Sequence, residues 1–140
     1  MSDRTFFDTN VIVYSLNPTD VRKAPIATAI LRNAVKTNTG VLSYQVVQEL
    51  INIGFRKFRP AMTSVEATTY LEEVMREFEV VSWSASLVRR AIVIRSRYLF
   101  GSYDSLIVAA ALESKCDVLY TEDLQHQQRI EGLTVVNPFL

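Results

Sequence analysis

The chain has 140 residues, 49% of them apolar and 21% charged, which suits one compact domain spanning 1–140 with a real core. Fifteen basic residues balance fifteen acidic ones, so composition announces no nucleic-acid binder and leaves any such contact to local patches. Cys116 is the single cysteine and excludes an internal disulfide. The longest apolar run, residues 106–112, falls far short of the roughly 20 residues that span a bilayer. The N-terminal "MSDRTFFDTN" lacks a signal-peptide core. A soluble, cytoplasmic protein with no membrane partner is expected.

In chain order, "TFF" reads as a short strand that stops at Asp8, and 11–13 begin a helix. A helix follows over 23–36, with apolar Ile26, Ile30, Leu31 and Val35 in register and Pro25 tolerated in its first turn. "GVLS" at 40–43 is the second strand, and "SYQVVQELINIGFRKF" carries helical periodicity through Val46, Val47, Leu50, Ile51 and Phe55. Pro60 separates it from a further helix opened by the capping box Thr63-Ser64-Val65-Glu66, and the two look like an αα-hairpin. "EVVSW" (79–83), the helix "SASLVRRAIVIRSRY", the helix "YDSLIVAAALESK" with its all-apolar run "LIVAAAL", "DVLYT" (117–121) and "LTVV" (133–136) complete the pattern. Strands alternating with helices predict an α/β fold: a three-layer α/β/α sandwich around a mostly parallel five-stranded sheet.

Ligands of open parallel sheets bind at the carboxyl ends of the strands. Asp8 follows the first strand, and Asp123 follows "DVLYT" by one residue. Asp104 begins a helix that runs back toward the start of "DVLYT", so it should face the same edge. Glu49 lies roughly 8 Å into its helix, still near that edge. Four acids from distant parts of the chain would therefore converge. Clustered carboxylates repel and raise one another's pKa, and a divalent cation removes that penalty. An all-oxygen donor set favours Mg²⁺ or Mn²⁺ over zinc and suits phosphoester displacement with one metal or two. Asn10 and Thr121 are expected to hold the acids or a metal-bound water by hydrogen bonds.

Each acid also has a plainer role. Asp8, Asp104 and Asp123 all precede stretches read as helical, and Asp is a favoured N-cap. Glu49 shares a helical spacing with Gln45, Gln48 and Asn52, as on a solvated face. The basic groups Arg56, Lys57 and Arg59, and Arg89, Arg90, Arg95 and Arg97, read first as solvated helix faces; the former set is also the candidate phosphate contact. His126, the only histidine, has no partner for zinc binding or metal-free ribonuclease chemistry and reads as a surface residue.

The order "FFDTN", "QVVQELIN", "YDSLIVAAAL" and "DVLYTEDLQ", closing with "LTVVNPF", resembles the PIN domain, and more narrowly the VapC-type toxins of prokaryotic toxin–antitoxin systems. The resemblance implies a Mg²⁺- or Mn²⁺-dependent endoribonuclease whose acids are Asp8 (with Asn10 beside it), Glu49, Asp104 and Asp123, with Glu122 able to substitute for the last. It also implies an RNA substrate, a homodimer and a small cognate antitoxin that inhibits by placing a basic side chain in the acidic site. Comparable chains often carry glycine where this one has Gln127, which suggests a more helical path here, and Trp where it has Tyr103. Two alternatives stay open. One is a haloacid-dehalogenase-like phosphatase with Asp8 as nucleophile and Glu122-Asp123 as metal pair, although Asn10 stands where its general acid belongs. The other is a non-catalytic binding module on the PIN fold.

Overall fold

The structure, a computed structural model, describes residues 3–140; Met1 and Ser2 of the polar N-terminal stretch lie outside the described residues. The chain leaves its first strand, β1 (Thr5–Phe7), for α1 (Thr9–Leu16) and α2 (Lys23–Thr37). It returns through β2 (Gly40–Ser43) and continues into α3 (Tyr44–Arg56) and α4 (Ser64–Glu77). Then come β3 (Glu79–Val81), α5 (Ala85–Tyr98), α6 (Ser102–Glu113) and β4 (Val118–Tyr120). The chain ends in β5 (Arg129–Ile130) and β6 (Leu133–Val136).

The sheet has the order β3-β2-β1-β4-β6-β5, parallel throughout except for β5 against β6. It therefore has six strands, not the five expected. The extra strand is the two-residue first arm of a hairpin closed around Glu131 and Gly132, and two residues are too short to show any periodicity. The order steps outward from β1 through β2 to β3, then crosses back to place β4 on the other side of β1. The topological switch point therefore lies between β1 and β4, where the carboxyl ends of neighbouring strands diverge and open a crevice.

Helices cover both faces. Phe7 stacks on Tyr120 and meets Phe78 edge-on, beside α2 and the end of α4. Ser43 and Val81 lie beside Leu87 of α5 and Leu106 and Ala110 of α6 on the opposite face. Phe6, Phe7, Val41, Val108 and Leu119 are fully buried; each large apolar side chain withdrawn this way contributes roughly 1.5–3 kcal/mol. α6 is apolar all round over its Leu106–Leu112 stretch and is buried from Ile107 to Leu112, as a stretch without a polar face must be. The capping box forms as expected: Glu66 N–H donates to Thr63 Oγ1 (3.1 Å), and Thr63 N–H donates to Glu66 Oε1 (2.9 Å). Pro60 lies in the connection between α3 and α4.

The segment after β4 departs from expectation. Asp123 precedes no helix; residues 121–128 form turns and bends. Gln127 adopts φ 71°, the left-handed conformation that a glycine would favour, and not the more helical path its identity suggested. Its N–H donates to Val135 O (2.8 Å), and Val135 N–H donates to Gln128 O (2.9 Å). Backbone pairing to β6 thus holds the turn.

Candidate active site

Asp8 sits where β1 gives way to α1, and it is both cap and cleft residue. Its Oδ1 accepts from Thr9 N–H (2.7 Å) and its Oδ2 from the Thr121 hydroxyl (2.8 Å). Only 3% of Asp8 is exposed. Burial pushes its carboxyl up to about 6, the nearby charges of Asp123 and Asp104 add to the rise, and the bonds from Thr121 and Thr9 oppose it.

Asp104 is the third residue of α6, whose N-cap is Gly101, so it is no cap itself. It stands in the first turn, where the positive end of the helix favours an anion. Its carboxyl is also raised, by burial first and by Asp123 second. Asp123, exposed, follows β4, and its N–H donates to Thr121 Oγ1 (3.1 Å). Thr121 is buried and therefore joins two acids, donating to Asp8 while accepting from the Asp123 backbone.

Asp8, Asp104 and Asp123 each offer an oxygen within 4.8 Å of the others. Glu49 lies outside this trio but lines the same cleft, of about 240 Å³, with Asp8, Thr9, Asn10, Tyr103 and Asp123. It is half-buried and so is not part of the solvated face that exposed Gln48 and Asn52 form. Asn10 is exposed on the cleft wall and, among the described residues, makes no hydrogen bond to an acid.

Two cleft residues were not assigned a role from sequence. Tyr103 places its hydroxyl 2.6 Å from Thr9 Oγ1, and burial pushes that hydroxyl up to about 12 in the company of Asp8, Glu49 and Asp104. It stays a neutral phenol at any physiological pH. Adjacency to Asp8 and Asp104 was the only signal for Thr9 and Tyr103.

Other expected residues lie elsewhere. Glu122 turns away from the trio, with its Oε2 2.7 Å from Lys23 Nζ and its Oε1 accepting from Tyr14 OH at 2.6 Å. Its carboxylate is not among the three that converge. His126 is half-buried, and its Nδ1 accepts from Asn137 N–H (3.0 Å), so it braces the chain end and is not a free surface residue. Arg56 and Lys57 are exposed at the far end of α3, about 10 Å along the helix axis from Glu49. Arg59 donates to the carbonyls of Arg56 and Phe58. Arg90 pairs with Glu131 and Glu113, while Arg89, Arg95 and Arg97 are exposed.

The donor set is chemically uniform: carboxylate oxygens, crowded, and one of them buried deeply enough to resist ionising alone. Such a set fits a hard divalent cation such as Mg²⁺ or Mn²⁺ and offers nothing that selects zinc.

The fold is shared with solved toxin–antitoxin proteins. A chain of the VapBC2 complex from Rickettsia felis, bound to a promoter DNA fragment, is 20% identical with TM-score 0.66, covering 94% of this chain and 96% of that one. The DNA-bound VapBC from Salmonella typhimurium gives 18% and 0.67, covering 96% and 97%. Mycobacterium tuberculosis VapC20, described as a sarcin-ricin loop cleaving toxin, gives 20% and 0.66, covering 85% and 89%. No curated protein matches the chain. The PIN domain family model matches residues 5–133, nearly the whole length. The chain belongs to the PIN domain family.

Proposed function

We propose that this chain is a Mg²⁺- or Mn²⁺-dependent endoribonuclease of the cytoplasm and the toxin of a type II toxin–antitoxin pair. The convergence of Asp8, Asp104 and Asp123 at the switch point of a PIN-family sheet carries the reading. These three would hold the cation, with Glu49 the fourth acid of the cleft. A bound divalent cation would supply positive charge for the developing charge on a phosphate and would acidify an attacking water. Thr121 and the Thr9 N–H keep the Asp8 carboxylate pointed into the cleft. Tyr103 offers a neutral donor among acids, suited to a phosphate or ribose oxygen. Arg56, Lys57 and Arg59 serve RNA lying beyond the cleft. The VapBC complexes among the structural neighbours support an antitoxin partner. Val88, Ile92 and Leu99, exposed on α5 and at its end, support a homodimer.

The phosphatase alternative does not survive. Family membership is against it, Asn10 cannot donate a carboxyl proton, and the Glu122 it needs for metal is held by Lys23.

Asp8→Asn or Asp104→Asn should abolish Mg²⁺-dependent cleavage of RNA, measured on a labelled oligonucleotide, while circular dichroism shows the parent fold. Cleavage at the parent rate by either variant would sink the acid-cluster reading. If the parent shows no cleavage but binds a neighbouring protein tightly, the binding module is favoured instead.

A further inference from the structure

The Lys23–Glu122–Tyr14 cluster has no counterpart in the acid chemistry above, yet its central residue lies between the two residues that shape the cleft. Thr121 and Asp123 turn toward Asp8, and Glu122 between them turns the other way. There Lys23 Nζ lies 2.7 Å from Glu122 Oε2 and 3.3 Å from Tyr14 OH, and Tyr14 OH donates to Glu122 Oε1 at 2.6 Å. The Lys23 ammonium also stands 4.8 Å from the centre of the Tyr14 ring and 5.3 Å from that of Phe139. Asp20 Oδ1 accepts from the N–H groups of Arg22 and Lys23, fixing the start of α2, and Arg22 donates to the Phe139 carbonyl. The cluster thus ties α1, α2 and the chain end to one side chain of the segment that carries Asp123.

That segment is held at its far end by the pairing of Gln127 and Gln128 with Val135, which leaves Asp123 to the strand end. Residues 121–128 belong to no helix or strand. Thr121 is held by its N–H to Val136 O (3.1 Å), but Asp123 is held only through Thr121 Oγ1 among the hydrogen bonds of its described neighbours. Fixing Glu122 fixes the rotation of the strand end about its axis and hence the direction in which Asp123 points. The pair is partly buried, with side-chain exposures of 23% and 18%, and Tyr14 OH adds a second bond to the Glu122 carboxylate. The same bond keeps the carboxylate that directly follows Thr121 out of the acid trio, where a fourth ligand from the same turn would displace Asp123.

We infer that Lys23, acting through Glu122 and steadied by Tyr14, is a positioning residue that sets Asp123 for cation binding and keeps Glu122 from taking its place. The inference rests on the nuclease reading above and concerns the same site. Outer groups that orient a ligand commonly change metal affinity by about 10- to 100-fold when removed.

The test is Mn²⁺ binding to the full chain, followed by titration of the free-ion electron paramagnetic resonance signal and by the spectrum of the bound ion. Lys23→Met removes the charge and the donor and keeps an unbranched side chain of similar length. It should weaken Mn²⁺ binding about tenfold, alter the bound-ion spectrum, and leave the circular dichroism unchanged. Lys23→Arg should restore most of the affinity, and Glu122→Gln should match Lys23→Met. Tyr14→Phe removes one oxygen and should weaken binding in the same direction. It carries the test if Lys23→Met melts below the assay temperature. Affinity within twofold of the parent in Lys23→Met, or in Tyr14→Phe if the first unfolds, overturns the inference while loss of binding in Asp8→Asn leaves the nuclease reading standing. A parent chain that binds no Mn²⁺ overturns both.

Discussion

At Asp8, helix capping and the proposed cation binding ask for a negative charge in a place that disfavours one. The carboxylate is 3% exposed and has two hydrogen-bond donors, yet burial still holds its pKa near 6. In the unfolded chain the same group titrates near 3.8. Between these values the metal-free folded state binds more protons than the unfolded state. Stability that is fully present below about 3.8 is therefore lost as pH rises through about 6. The melting temperature of the metal-free protein should fall across that window, by a free energy of at most about 3 kcal/mol. Asp8→Asn should flatten the fall, and Mg²⁺ should restore stability at pH 7. A melting curve series in chelator with the same slope for parent and variant would show that Asp8 is not the group responsible. Thr121 belongs to the same balance. Thr121→Val strips Asp8 of a donor and leaves the Asp123 N–H without its acceptor, which should cost about 1–3 kcal/mol and weaken cation binding. Calorimetric melting and Mn²⁺ titration check the two parts. Asp8, Asp104 and Asp123 were legible because each stands at a point where a strand ends or a helix begins, and those points can be read from local pattern. The Lys23–Glu122 pair was not. Its partners are 99 positions apart, and nothing local to either marks the other.

Elements differ in how strongly their ends are announced. α4 was readable to the residue because its capping box uses side chains whose only strong local bonds are those of a helix start. Thr63→Ala should cost about 1 kcal/mol, measured by denaturant midpoint, without touching RNA cleavage, since α4 starts away from the cleft. Loss of cleavage in this variant would mean that α4 is coupled to the acids. β5 shows the reverse. Arg129 and Ile130 pair with β6 because the chain doubles back after them at Glu131, which has φ 55°, and the turn before them likewise holds Gln127 at φ 71°. A non-glycine residue gives no warning of that conformation, so the hairpin and the non-helical path after Asp123 were both invisible. Backbone pairing to Val135, and not side-chain preference, decided the outcome.

At the scale of the whole molecule, the sheet order explains why the cleft lies where it does. The central strands were legible as apolar runs, and their parallel order followed from alternation with helices, so the carboxyl edge could be named from sequence. Arg56 and Lys57 close the other end of α3, about 10 Å beyond Glu49. They lie away from the acids, so under the proposed nuclease reading they would act on RNA affinity and not on the chemistry. Replacing both by Ala should raise KM with kcat unchanged. It should also reduce the salt dependence of RNA binding, by a slope of about 0.7 for each single-strand phosphate that is no longer neutralised. A salt titration by fluorescence anisotropy checks this, and an unchanged slope would remove both residues from the RNA surface.

The connection between α3 and α4 is mostly exposed, from Lys57 to Thr63, and it divides the acids evenly, with Asp8 and Glu49 before it and Asp104 and Asp123 after it. Neither half of the chain carries a working set, and the β2–β3 and β1–β4 pairings run across the break. Opening the backbone there would turn the protein into a two-part device, inert as separate pieces and active only when they reassemble. Nuclease output would then report whether two fused proteins meet.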